Sequence, residues 1–187
     1  MNLRNTLDRY GSISQGFHWL VAFLVIGMLI GGFFMGSIAN DAVRAQVYML
    51  HKSTGLVVLF LMGLRILWVL GNVKPTTPPN TPLWERIAEH SVHGLLYLTL
   101  LGMPLSGWIM STAANKSPTL YQWFTLPFPG IPVSETLAKI ANSIHLTLAW
   151  IVIGLLIIHI AAAIKHHWMD QDNVLRRMLP SRCSSNR

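Results

Sequence analysis

Residues 142–164 read NSIHLTLAWIVIGLLIIHIAAAI, a 23-residue stretch with no Asp, Glu, Lys or Arg. At a rise of about 1.5 Å per residue, a helix of about 20 apolar residues crosses the ~30 Å hydrocarbon core of a bilayer. This stretch therefore reads as a transmembrane helix, and it carries His145 near one end and His159 near the other. The two histidines are 14 residues apart. On a helix that spacing is about 21 Å along the axis, with both rings within about 40° of one face.

Three more apolar blocks of similar length precede it, at about 17–36, 48–70 and 90–112. The expected architecture is all-α, a four-helix transmembrane bundle, with residues 1–187 forming one domain. The second block ends in Gly71-Asn72 and the proline-rich run 75–82, strong helix breakers. The third contains Pro104, which a membrane helix tolerates as a kink. Residues 113–139, rich in proline and aromatic side chains such as Tyr121, Trp123, Phe124 and Phe128, read as an interfacial loop. Ser37-Ile38-Ala39 weakly imitates a signal-peptidase site. The block before it is longer than the typical h-region of about 7–15 residues, so it is expected to be retained as a helix.

Composition agrees. Of 187 residues, 52% are hydrophobic and only 11% are charged, against about 25% charged in an ordinary soluble domain. The mean hydropathy is +0.45. The net charge is +7, but the basic residues flank the apolar blocks, which fits membrane topology better than nucleic-acid binding. With four crossings both termini share one side, together with Arg4, Arg9, Lys74, Arg86, Lys165, Arg176, Arg177, Arg182 and Arg187, and with Arg65 close to it. The other side holds Arg44, Lys52, Lys116 and Lys139. Ten against four places the termini in the cytoplasm by the positive-inside rule. The one cysteine, Cys183, excludes an internal disulfide and a Cys-x-x-Cys-His attachment site for haem.

Eight histidines occur: His18, His51, His90, His93, His145, His159, His166 and His167. Ionisable side chains in lipid are rare and mark function. On the four-crossing topology His18 shares its depth with His159, and His51 shares its depth with His145. Haem iron takes axial ligands from opposite faces of the ring, so two histidines at equal depth on facing helices can hold one haem. The expectation is two non-covalent haem b groups, one held by His18 and His159 and one by His51 and His145. Gly27, Gly31, Gly32, Gly55, Gly154 and Ala161–Ala163 leave room for a flat macrocycle, or serve close helix packing. Arg65 is placed to neutralise a haem propionate or to snorkel to the interface. Met28, Met62, Met103 and Met110 read as gap-filling core residues. His90, His93, His166 and His167 gather at the cytoplasmic end, where His93 and His166 are candidates for a quinone site and His93 is the reserve iron ligand.

Phe17-His18-Trp19-Leu20, Leu50-His51-Lys52-Ser53-Thr54-Gly55, Ile144-His145-Leu146 with His159, and the closing run from Ala161 to His167 with Asp172-Asn173 and Leu175-Arg176-Arg177-Met178 together resemble the bacterial cytochrome b561 family. The resemblance extends over nearly the full chain and implies a multi-pass protein of the bacterial inner membrane with haem ligands at His18, His51, His145 and His159. It further implies single-electron transfer to ubiquinone, in some members from superoxide, which would make the chain an oxidoreductase of superoxide:quinone type. Other members anchor a partner dehydrogenase or hydrogenase. Partners expected are therefore the lipid bilayer, a quinone, and a periplasmic donor or partner redox protein. A histidine-lined metal-ion transporter is the contrasting reading; it needs carboxylates in mid-membrane, and the spans carry none in their interiors.

Overall fold

The computed structural model describes residues 2–78 and 81–180; Arg182, Cys183 and Arg187 lie outside them. Four long helices dominate: α1 (Ser12–Phe34), α2 (Asp41–Leu70), α3 (Leu83–Ala113) and α4 (Glu135–Trp168). A 3₁₀ turn, Met35–Ser37, continues α1, and a short helix α5 (Val174–Met178) follows α4. All four long helices have the length and composition to cross a membrane. Each outruns its apolar block by one to several turns, because hydropathy measures the hydrocarbon slab and not the reach of the backbone ladder.

Local chemistry explains the extra turns. Asn40 caps α2 by accepting from Val43 N at 3.0 Å, with Asp41 in the first turn. Ser134 caps α4 by accepting from Leu137 N at 3.3 Å, and Glu135 follows it. A side-chain acceptor at the N-cap satisfies an orphan N–H, and an acid in the first turn complements the helix dipole. Residues 135–139, expected in the loop, are thus helical. At the other end of α4, Lys165, His166 and His167 occupy the last turn, where positive charge is favoured.

The helices pack in chain order, α1 on α2, α2 on α3, and α3 most extensively on α4. Contacts between α1 and α4 include two ring pairs, Phe33 with Trp150 and His18 with His159. The central core is small and dry: Val21, Val25, Val58, Met62, Leu100, Met103 and Val152. Most large apolar side chains point outward instead, and only 11% of the most apolar window of α4 is buried inside the protein. Lipid, not protein, covers them.

The segment before α1 and the segment after α4 lie at one end of the bundle. There Arg9 donates to Leu179 O at 2.7 Å, Gln15 to Arg177 O at 3.1 Å and Trp19 to Met178 O at 2.9 Å. The α2–α3 connection joins them, with Thr76 N bonded to Leu7 O at 2.8 Å and Arg177 to Thr76 O at 2.5 Å. Gly11 permits the N-terminal turn to fold back, since a Cβ there would lie 2.4 Å from Leu3 O. Lys165 ties α4 to α3 by reaching Glu85 at 2.8 Å, and it holds Asp170 at 2.7 Å.

At the far end the α3–α4 connection contains a small hairpin not foreseen from the sequence: β1 (Thr119–Leu120) pairs antiparallel with β2 (Phe124–Thr125). Its turn places Tyr121 at φ 45° and Gln122 at φ 68°, a left-handed conformation that costs a non-glycine residue about 1–2 kcal/mol. Contacts to α2 offset that strain. The fully buried Ser53 hydroxyl donates to Thr119 O at 2.8 Å and accepts from Tyr121 N at 3.0 Å. Beside it Thr54 meets the Tyr121 hydroxyl at 3.2 Å, and Lys52 donates to Lys116 O at 2.8 Å. Ser53→Ala takes this partner from the part-buried Thr119 carbonyl and Tyr121 N–H, at a cost of about 1 kcal/mol. Amide exchange at residues 119–125 should accelerate accordingly in the variant, and unchanged exchange there would refute this account of the hairpin.

Candidate functional site

The structure brings the histidines of the spans into two groups, one toward each end of the bundle. Toward the end where α1 begins, His18 of α1 and His159 of α4 stand with ring centroids 6.1 Å apart and planes at 55°. Toward the far end, His51 of α2 and His145 of α4 stand 6.4 Å apart with planes at 76°. These spacings can be compared with a simple construction. Metal–imidazole bonds of about 2 Å and a five-membered ring radius of about 1.2 Å set two imidazoles on opposite sides of one iron about 6.4 Å apart, centroid to centroid. Both pairs match it.

The ring nitrogens carry further information. His145 Nδ1 lies 2.8 Å from the Met103 carbonyl and 3.3 Å from Ser106 Oγ. A carbonyl can only accept, so the proton sits on Nδ1 and the Nε2 lone pair is free for a metal. A carbonyl that fixes the tautomer in this way is the usual support for a metal-binding histidine. Met103 also accepts from Ser106 Oγ at 2.7 Å, one residue before the kink-forming Pro104. His51 Nδ1 is buried without a hydrogen-bond partner among the described residues. Such orphaned polar atoms are rare in proteins and are satisfied by a water, an ion or a bound group.

Glycines make the space beside these rings. A Cβ on Gly107 would lie 3.0 Å from His145 Cε1, and one on Gly32 would lie 3.2 Å from His51 Cε1. Gly55 faces Met28 Cε at 3.6 Å, whereas Gly27, Gly31 and Gly154 face open space. Of the small residues singled out in the sequence, Gly32 therefore lies directly against a ring of the far pair. Gly107 escaped notice because nothing in α3 announces a partner on α4; the adjacent Ser106 in an apolar helix was the available signal.

His93 packs against His159 with centroids 5.2 Å apart, more than 1 Å inside the spacing about 6.4 Å that a shared iron needs. As the reserve ligand it fits less well than His18. Its Nδ1 is committed to Glu89 O at 2.8 Å. His166 is drawn into a separate network, with Nδ1 2.7 Å from Asp172 and 3.3 Å from Asp170, and Nε2 4.0 Å from Glu85. Glu85, His166 and Asp170 have the proximity of a cation site, but the Lys165 ammonium already bridges Glu85 and Asp170. His90 Nδ1 bonds Arg86 O at 2.7 Å, and its Nε2 lies 3.4 Å from Lys74. His167 Nδ1 is buried without a hydrogen-bond partner among the described residues. Tyr10, just ahead of α1, has its pKa raised by burial and then by the Glu89 carboxylate, so the phenol stays protonated.

Among basic residues, Arg65 Nη2 lies 3.2 Å from His18 Nδ1, and its guanidinium stands 5.4 Å over the Tyr97 ring. At the far end Arg44 is paired with Asp41, and Lys139 with Glu135.

Comparison with known proteins points the same way. The model of the family described as prokaryotic cytochrome b561 matches residues 9–181. The chain is 36% identical over 180 residues to cytochrome b561 homolog 2 of Escherichia coli (strain K12), covering 96% of this chain and 95% of that protein. It is 31% identical over 180 residues to cytochrome b561 homolog 1 of the same organism, covering 94% and 99%. It is 32% identical over 181 residues to a Yersinia pestis protein named "Probable superoxide oxidase CybB", covering 93% and 97%.

A methyl group at position 107 would press on the His145 ring, which would have to give way by a few tenths of an ångström. Where His51 and His145 hold one of two haems, Gly107→Ala is expected to lower the haem content of the purified protein by up to roughly half. Gly27→Ala should leave it unchanged. A pyridine haemochrome assay of both variants measures the difference, and equal haem content in the two would count against the placement.

Proposed function

This chain belongs to the prokaryotic cytochrome b561 family of membrane electron-transport haem proteins, and from that premise we propose that it passes electrons across the bilayer through two haem b sites to ubiquinone. The observation that carries the reading is the pair of imidazole spacings, 6.1 and 6.4 Å, on histidines of α4 set about 21 Å apart along its axis. His18 with His159 would hold one haem, and His51 with His145 the other. Haem, when bound, supplies one-electron exchange between ferric and ferrous iron. The protein's part is ligation, spacing and the exclusion of water by the apolar layer between the pairs.

The basic bias of ten residues against four supports termini in the cytoplasm of a bacterial inner-membrane protein. His18/His159 is then the inner pair, and His51/His145 the outer. The donor is an outer one. The name of the Yersinia pestis relative favours superoxide, and so does the charge left on that face. Asp41 and Glu135 cancel Arg44 and Lys139. Lys52 and Lys116 make no ion pair among the described residues, and they stand close enough for the Lys52 amine to reach Lys116 O. Two adjacent cations can steer a small anion toward the site. Oxidation of two superoxide ions to dioxygen releases the two electrons that, with two protons, convert quinone to quinol. At the inner end His93, with Nδ1 donating to the Glu89 carbonyl, presents Nε2 as an acceptor for a quinol hydroxyl. His166 is bound into its carboxylate network and serves the fold there.

The purified protein in proteoliposomes should show a reduced-minus-oxidised haem b spectrum with about two haems per chain, as two bis-histidine sites require. His51→Ala or His145→Ala should remove the outer one, and His18→Ala or His159→Ala the inner one. A haem-free protein would sink the proposal. Superoxide should drive ubiquinone reduction in the same vesicles, and a Lys52→Gln/Lys116→Gln variant should slow it several-fold at low ionic strength and flatten its salt dependence. Two intact haems with no quinone reduction would point instead to an anchor that conducts for a partner dehydrogenase or hydrogenase.

A further inference from the structure

Arg65 lies on α2 within the apolar run that ends at Leu70, beside the inner histidine pair. A guanidinium is always charged and offers only donors. Inside a membrane such a group needs an anion, yet no Asp or Glu oxygen lies within ion-pair distance of it among the described residues. Of the acids at this end, Glu85 and Asp170 are held by Lys165, Glu89 by Lys74 and Asp172 by His166, and Asp8, ahead of α1, forms no ion pair with Arg65 among the described residues.

Its present neighbours do not resolve the charge. The Tyr97 ring beneath it provides a shelf and fixes its position by cation–π attraction, but brings no negative charge. His18 Nδ1 at 3.2 Å can accept from Arg65 only while it carries no proton. A histidine that binds iron through Nε2 keeps its proton on Nδ1. Two donors would then face each other; Arg65 makes no other hydrogen bond among the described residues, so the guanidinium must turn to another acceptor. Haem brings one, in the propionate carboxylates at its edge. At the outer pair the neighbouring cation, Lys52, carries its amine at an exposed bond to the Lys116 carbonyl, where water and salt screen its charge.

We propose that Arg65 is the counter-ion of a haem carboxylate at the inner site, and that its charge holds the inner haem at a higher potential than the outer one, so that electrons run inward. This rests on the reading that both histidine pairs hold haem. The physical basis is that reduction lowers the positive charge on the iron centre, and an adjacent cation favours the reduced form. Removal of Arg65 leaves the carboxylate bare and favours the oxidised form.

Redox titration of the haem-loaded full chain in nanodiscs tests this, with Arg65→Gln and Arg65→Lys alongside the parent protein. His18→Ala and His51→Ala assign the two transitions. Arg65→Gln is expected to lower the ferrous-to-ferric ratio of the inner haem about tenfold at a fixed potential, a shift of about 59 mV for one electron, and to leave the outer haem unmoved. Arg65→Lys keeps the charge and should retain most of the inner potential. Selective loss of the inner haem from Arg65→Gln but not from Arg65→Lys would support the same assignment. Unmoved potentials in Arg65→Gln would overturn it and assign the side chain to the lipid headgroups. Equal shifts or equal haem loss in the two variants would overturn it too, by marking a packing role without charge specificity. A parent protein holding fewer than two haems would overturn the two-site reading as well, whereas two haems with an indifferent Arg65 would remove only this inference.

Discussion

Hydrocarbon offers no hydrogen bonds, so every polar nitrogen placed in it must find a partner inside the protein or in something the protein binds. The backbone of this chain meets that condition by forming helices along nearly all of its buried length. The imidazoles cannot meet it alone. Each has two ring nitrogens, and the structure gives His145 and His93 a backbone carbonyl for one of them while leaving the other uncommitted. His51 has a buried nitrogen with no partner among the described residues. The facing of His18 on His159 and of His51 on His145 is the arrangement that a shared bound metal would complete, and the small apolar core is disposed between these two pairs.

The two ends of the bundle are built differently. The end where α1 begins and α4 ends is laced by side chains onto backbone carbonyls: Arg9, Gln15 and Trp19 hold the segment after α4 against the start of α1. A cluster of carboxylates and Lys165 locks α3 to α4 beside it. The far end depends on one hairpin fastened to α2 through Ser53. Charge follows the same asymmetry. A guanidinium stands beside one histidine pair, while at the far end Arg44 and Lys139 are paired with acids and Lys52 donates to the Lys116 carbonyl.

Much of this was legible in the residues. Apolar blocks of membrane length are a one-dimensional signal, since crossing a bilayer depends on length and composition, and all four appeared as helices. The fourteen-residue interval from His145 to His159 was equally readable because it lies within one helix. Helix ends were less legible: α2 and α4 begin turns earlier than their apolar blocks, at Asn40 and Ser134, where capping rather than hydropathy decides. The hairpin was not legible at all. Tyr121 and Gln122 adopt a conformation that their side chains disfavour, and they do so because Ser53, 68 residues from Tyr121 in sequence, receives the turn.

Residence in lipid, four helices of membrane-crossing length and histidines at matched depths follow from composition, length and helical period alone. Folding settles the rest: which ring faces which, that Gly107 rather than Gly27 or Gly154 makes room at a histidine, that Met103 sets the tautomer of His145, and that His166 is tied to carboxylates while His93 stands against His159. Each of these depends on how one helix is rotated against its neighbour. That rotation is set by packing among residues distant in the chain, and no local pattern records it.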